Sequence, residues 1–172
     1  IVIPAFAIGR AQALMLHIAR LRERKDIPRV PVYLNSPMAI NATRHYHAHH
    51  SEHHVSEEDC QRMFDVATFV NTVEESKALN RQRGPMIIIS ASGMATGGRV
   101  LHHSEAFGPD DRSAILRAGY QAGGTRGAAL AAGKRTLRMF GREVSIRAEV
   151  VQLEGFSGHA DAGELLDWMR TA

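Results

Sequence analysis

Three groups of residues carry side chains or backbone able to act on a ligand, and each has an ordinary structural reading beside the chemical one. The first is Ser90-Ala91-Ser92-Gly93-Met94-Ala95-Thr96-Gly97-Gly98-Arg99. It follows the apolar run Ile87-Ile88-Ile89 and opens a helical pattern, so backbone N–H groups left unshielded at its glycines suit an anionic oxygen. Its spacing is neither the dinucleotide G-x-G-x-x-G nor the phosphate loop G-x-x-x-x-G-K-[ST], and a tight structural turn also fits. Two more turns, Asn35-Ser36-Pro37 and residues 119–127 with Arg126, fall on the same edge if the sheet is parallel. Three polar turns on one edge favour an oligoanion surface, with Ser36, Ser92, Gly93, Arg99 and Arg126 as its contacts.

The second group is His45, His47, His49 and His50, with His53 and His54 close behind. On a helix, His45, His49 and His53 share one face, and two imidazoles four residues apart can clamp a metal ion. Nothing in the surrounding polar stretch supplies a second shell, so the cluster reads as surface histidines. The third is His159, in a glycine-flanked turn between a strand and a helix, with Asp161 two residues on. There an imidazole can serve as an acid or base while Asp161 caps the helix or orients the ring; a satisfied turn residue is the alternative.

Strand and helix patterns alternate along the chain, which predicts an α/β fold, Rossmann-like, with a mostly parallel sheet flanked by helices. Strands are expected at 1–4, 30–34, 67–70, 85–90 and 113–119. Helices are expected to end near Glu23, to start at Met38, to follow the cap Ser56, to open at the capping box Thr72-Val73-Glu74-Glu75, and to run over 99–107 and 125–132. After Gly133 the pattern changes to three short strands, 135–140, 143–146 and 149–153, then a terminal amphipathic helix. A boundary is placed near 147, giving segments 1–147 and 148–172.

The 172 residues are 44% hydrophobic and 23% charged, enough for a packed core. No run approaches the roughly 20 apolar residues of a membrane helix, and no basic leader opens the chain. One cysteine, Cys60, excludes an internal disulfide and a thiolate zinc finger, and a reducing cytoplasm is the expected compartment. Of 21 basic residues only Lys25, Lys77 and Lys134 are lysines; arginine forks suit phosphate, and codon bias would give the same skew. The chain opens without methionine in a strand and closes in a helix, so a segment of a larger protein is expected.

Five motifs stand in order: Pro4-Ala5-Phe6-Ala7-Ile8-Gly9-Arg10; Asn35-Ser36-Pro37-Met38-Ala39; Ser92-Gly93-Met94 through Gly97-Gly98-Arg99; Gly119-Tyr120-Gln121 with Gly124-Thr125-Arg126-Gly127; and Gly155-Phe156-Ser157-Gly158-His159-Ala160-Asp161. In this order they resemble β-CASP metallo-β-lactamase-fold proteins, most closely the RNA-processing branch, the bacterial and archaeal relatives of the cleavage and polyadenylation endonuclease. The resemblance implies that 1–147 is a β-CASP domain and 148–172 a returning segment of the metallo-β-lactamase domain. It implies a cleft between the two, and a pair of zinc ions that activate water for phosphodiester hydrolysis. His159 matches the motif B histidine, which contacts the scissile phosphate and assists the leaving group. The family's His-x-His-x-Asp-His zinc motif is not the 45–50 cluster, which has His49 where aspartate belongs.

The expectation is therefore a piece of a zinc-dependent ribonuclease that acts on RNA, inactive by itself, without a zinc site of its own, and in a protein that can form a homodimer. A DNA-directed relative and a non-catalytic RNA-binding or scaffold subunit are the rival readings.

Overall fold

The computed structural model describes residues 1–156 and 159–171. Six parallel strands form the main sheet in the order β3-β2-β4-β1-β5-β8. They are β1 (Val2–Pro4), β2 (Val32–Leu34), β3 (Thr68–Phe69), β4 (Ile87–Ser90), β5 (Ala114–Ala118) and β8 (Glu149–Leu153). Helices α1 (Arg10–Glu23), α2 (Pro37–Ala48), α3 (Glu57–Asp65), α4 (Val73–Leu79), α5 (Arg99–Phe107) and α6 (Arg126–Ala131) connect them, and α7 (Ala162–Thr171) follows β8. Strands β6 (Thr136–Met139) and β7 (Arg142–Ser145) form a separate antiparallel hairpin.

The central strands β1 and β4 are buried on both faces, which explains unbroken apolar strands such as Ile87-Ile88-Ile89. Alternate side chains feed opposite layers. Val32, Leu34, Ile87 and Ile89 pack with Leu14, Met15, Ile40 and Met63 of α1–α3. Ile88 meets Leu79 and Phe107, while Ile115 packs with Leu101, Leu130 and the hairpin residues Leu137, Met139 and Val144. Helices α1–α3 thus cover one face and α4–α6 the other.

That division opens the carboxyl edge of the sheet. The neighbours β2 and β4 send their following helices to opposite faces, and so do the neighbours β1 and β5. Where adjacent connections diverge, a crevice forms outside the strand ends.

The three expected strands after Gly133 have different fates. The first two pair with each other, Leu137 opposite Val144. The third joins the main sheet, with Ala114–Ala118 in register with Glu149–Leu153.

Candidate functional site

Two of the divergence points, β2/β4 and β1/β5, hold a cleft. The one between β2 and β4 is about 370 Å³ and is lined by Asn35, Ser36, Pro37, Met38, Ala91, Ser92, Gly98 and Arg99. The one between β1 and β5, about 320 Å³, is walled by Phe6, Arg10, Met94, Tyr120, Phe156 and His159 among others. The segment 91–98 separates them: Ser92 and Gly98 face one side, Met94 the other.

In the first cleft Ser36 is the N-cap of α2. Its Oγ accepts from the Ala39 N–H at 3.3 Å, with Pro37 at the first helical position. As an acceptor there, the hydroxyl keeps its own proton to donate. Arg99 stands at the start of α5, beyond Gly98, whose φ of +77° admits glycine and disfavours other residues. Its Nη1 donates to Asn35 Oδ1 at 2.8 Å and the Val70 carbonyl at 3.2 Å, and its Nη2 to the Asn71 carbonyl at 2.7 Å. These partners are neutral oxygens. They hold the guanidinium in place, and its positive charge also acts on the Glu75 carboxyl.

The helix terminus itself offers less than its sequence promises. The Thr96 and Gly97 N–H groups donate to Ser92 Oγ, and that of Val100 to the Ala91 carbonyl. Ser92 therefore organises its own loop. Gly93 is buried where a Cβ would stand 2.8 Å from the Phe6 ring. Arg126 reaches away from both clefts: its Nε donates to the Arg138 carbonyl and its Nη1 to those of Ala95 and Thr96. With Gly127 N–H to Met94 O and Gln121 Nε2 to Gly93 O, it fastens loop 119–127 to loop 91–98.

The second cleft joins a cation, aromatic rings and an imidazole. Arg10 donates from Nη1 to the Ala118 carbonyl at 3.2 Å and lies 5.9 Å from the Phe156 ring centroid. Burial lowers the pKa of its guanidinium, which stays charged at any working pH. Tyr120 is 74% exposed at the rim. His159 is exposed on the turn before α7. Asp161 caps that helix: its Oδ1 accepts from the Glu164 N–H, and the Glu164 carboxylate accepts from the Asp161 N–H, each at 2.9 Å. Of the two expected roles for Asp161, the bonds show the cap. Ser157 and Gly158 of the same motif lie outside the described residues.

The histidines of the 45–54 cluster sit at or near the surface around α2. His47 meets Gln61 at 2.8 Å, His49 meets Glu52 at 2.9 Å, and His53 reaches the Tyr46 carbonyl. Among the described residues no group of three or more His, Cys, Asp or Glu side chains is placed to hold a metal ion. No helix among them is long and apolar enough to cross a membrane.

Two features of the site were not singled out from the sequence. Arg10 follows Gly9 in an ordinary helix start. His103 is fully buried beneath the first cleft, and its signal is a histidine on the apolar stripe Val100, His103, Ser104, Phe107 of α5.

A family model described as the Beta-Casp domain matches residues 11–130. A second, described as the Zn-dependent metallo-hydrolase RNA specificity domain, matches residues 143–172. Ribonuclease TTHA0252 of Thermus thermophilus is 39% identical over 177 residues, covering 99% of this chain and 40% of that protein. Transcription termination factor FttA of Methanosarcina mazei is 32% identical, covering 98% of the chain and 28% of that protein. The RNase J-like protein of Methanocaldococcus jannaschii is 31% identical, covering 99% and 39%. The chain thus spans two fifths or less of the length of these relatives.

Proposed function

Because the chain belongs to the Beta-Casp family, we propose that it is the RNA-handling part of a metal-dependent ribonuclease. The observation that carries this reading is the paired clefts on one sheet edge, one with Arg99 and Ser36, the other with Arg10 and His159. A single strand of RNA is a chain of phosphates with stackable bases, and this edge offers charge and aromatic rings side by side. In this reading Arg99 and Ser36 contact phosphate, while Ser92, Gly93 and Arg126 hold the loop that walls both clefts. Of segment 148–172, β8 stays with the main sheet, and the part beyond it belongs with the rest of the hydrolase, packing through α7.

The zinc implied by the second family description has no ligand set among the described residues. This chain contributes the other half of the chemistry. When water attacks phosphorus and the P–O bond breaks, the departing oxygen is a poor leaving group near neutral pH. His159, at the mouth of a cleft that also holds Arg10, supplies its proton.

Replacing His159 with alanine in the full-length protein is expected to lower kcat by about 10²–10⁴-fold. RNA affinity and zinc content should stay near those of the unaltered enzyme. Loss of zinc, or near-normal turnover, would assign His159 a different role.

A further inference from the structure

Beneath the first cleft runs a chain of buried hydrogen bonds whose direction is set at one end. Arginine can only donate, so the oxygen 2.8 Å from Arg99 Nη1 is the carbonyl oxygen of the Asn35 amide. The amide nitrogen of Asn35 then lies 2.7 Å from both Ser76 Oγ and His103 Nε2. It can only donate, so Nε2 carries a lone pair. The proton of the neutral ring must sit on Nδ1, 2.6 Å from Asn80 Oδ1. Arg99, Asn35, His103 and Asn80 thus form one polarised chain.

Asn35 and His103 are both completely buried. The backbone of Asn35 is tied on both sides, its N–H to Ile89 O at 2.9 Å and its C=O accepting from Ser90 Oγ at 2.8 Å. The asparagine cannot shift and can only turn its amide. Turning the amide would set its NH₂ against the guanidinium, donor facing donor.

From this arrangement we infer that His103 is a positioning residue for Arg99. Acting through Asn35, it holds the guanidinium at the wall of the cleft that Ser36 and Ser92 also line. The geometry is one-way in its chemistry, since a lone pair at Nε2, with Ser76 Oγ beside it, keeps the Asn35 oxygen toward Arg99. Of the five N–H donors of Arg99, three are engaged by Asn35, Val70 and Asn71. Nε and the second Nη2 hydrogen remain for a phosphate. The inference rests on the reading of this cleft as a phosphate contact.

The test measures affinity for a labelled single-stranded oligoribonucleotide across a salt series, in the full-length protein. Arg99→Gln should weaken binding by about tenfold and flatten the salt slope by about one contact. His103→Leu leaves the Asn35 NH₂ only Ser76 Oγ to donate to, so the amide is held less firmly and binding should weaken by up to the same extent, with the same change of slope. In the Arg99→Gln background it should add nothing, as expected of residues that act as a unit. His103→Gln can present an oxygen to Asn35 and an NH₂ to Asn80, and should restore binding, a rescue that a merely space-filling role would not produce. If leucine at this buried position prevents folding, Asn80→Ala at the half-buried outer end of the chain serves instead, with the same loss and the same silence beside Arg99→Gln. Unchanged RNA affinity in Arg99→Gln would overturn the cleft reading itself. A weakened Arg99→Gln with His103→Leu and Asn80→Ala unaffected, or additive to it, would overturn the positioning role and leave the cleft standing.

Discussion

A hydrogen where other residues carry a methyl lets two loops meet at Gly93, since a Cβ there would press on both the Phe6 ring and the Phe6 backbone nitrogen. The same intolerance governs His103, in charge rather than in volume. Burial, and after it the electrostatic effect of His102 and Arg99 nearby, pushes its pKa from 6.5 to about 4. The unfolded chain therefore takes up a proton near pH 6.5 that the folded chain refuses until about 4. Stability from the neutral ring is complete above pH 6.5 and is withdrawn as the pH falls toward 4, by about 3 kcal/mol in all. Denaturant midpoints between pH 7 and 4 should fall more steeply for the unaltered chain than for His103→Gln. Parallel pH profiles would show that the imidazole is not held neutral.

Elements whose signals are local were legible from the sequence. Thr72 and Glu75 form the reciprocal cap of α4: Thr72 Oγ1 accepts from the Glu75 N–H, and Glu75 Oε2 accepts from the Thr72 N–H. Those bonds hold the Glu75 carboxyl below its usual range. Thr72→Ala should cost about 1 kcal/mol, read as a melting temperature lower by about 2–4 °C; an unchanged melt would mean that α4 is held by packing alone. Helix α5 likewise runs over the span its pattern marks, Arg99–Phe107. The strands after Gly133 were legible as strands, but their partners were not. Alternation says that Leu137 and Val144 face a core, and only the folded chain says that they face each other while Val150 pairs with Ile115. The chain from Asn80 through His103 and Asn35 to Arg99 was hidden for a related reason. Its residues lie 23, 68 and 64 positions apart at successive bonds, and no local pattern links them. The family motifs found the edge on which the clefts lie, since glycines and caps at strand ends are local. They did not distinguish Arg99, which lines a cleft, from Arg126, which pins a loop.

At the scale of the whole molecule α7 stands apart. Leu165, Leu166, Trp168 and Met169 are 51–67% exposed on a single helix, an apolar surface that water does not favour. With the chain spanning two fifths or less of its relatives, that face is expected to pack against the remainder of the protein. Trp168→Ser should lower the melting temperature of the full-length protein, yet change the stability of the 172-residue chain alone by no more than about 0.5 kcal/mol. Equal effects in both would place the covering partner elsewhere. Ser92 and Met94 are two residues apart on a loop bonded to Arg126, Gly127 and Gln121, yet they front different clefts. It is a party wall, so an occupant that displaces it on one side alters the room on the other. Thermodynamic linkage makes that influence mutual: whatever a nucleotide at Arg99 does to the affinity at His159, one at His159 does equally to the affinity at Arg99. On the proposed reading of these clefts, two nucleotides of one RNA strand would be sensed together, through a few backbone hydrogen bonds and one methionine.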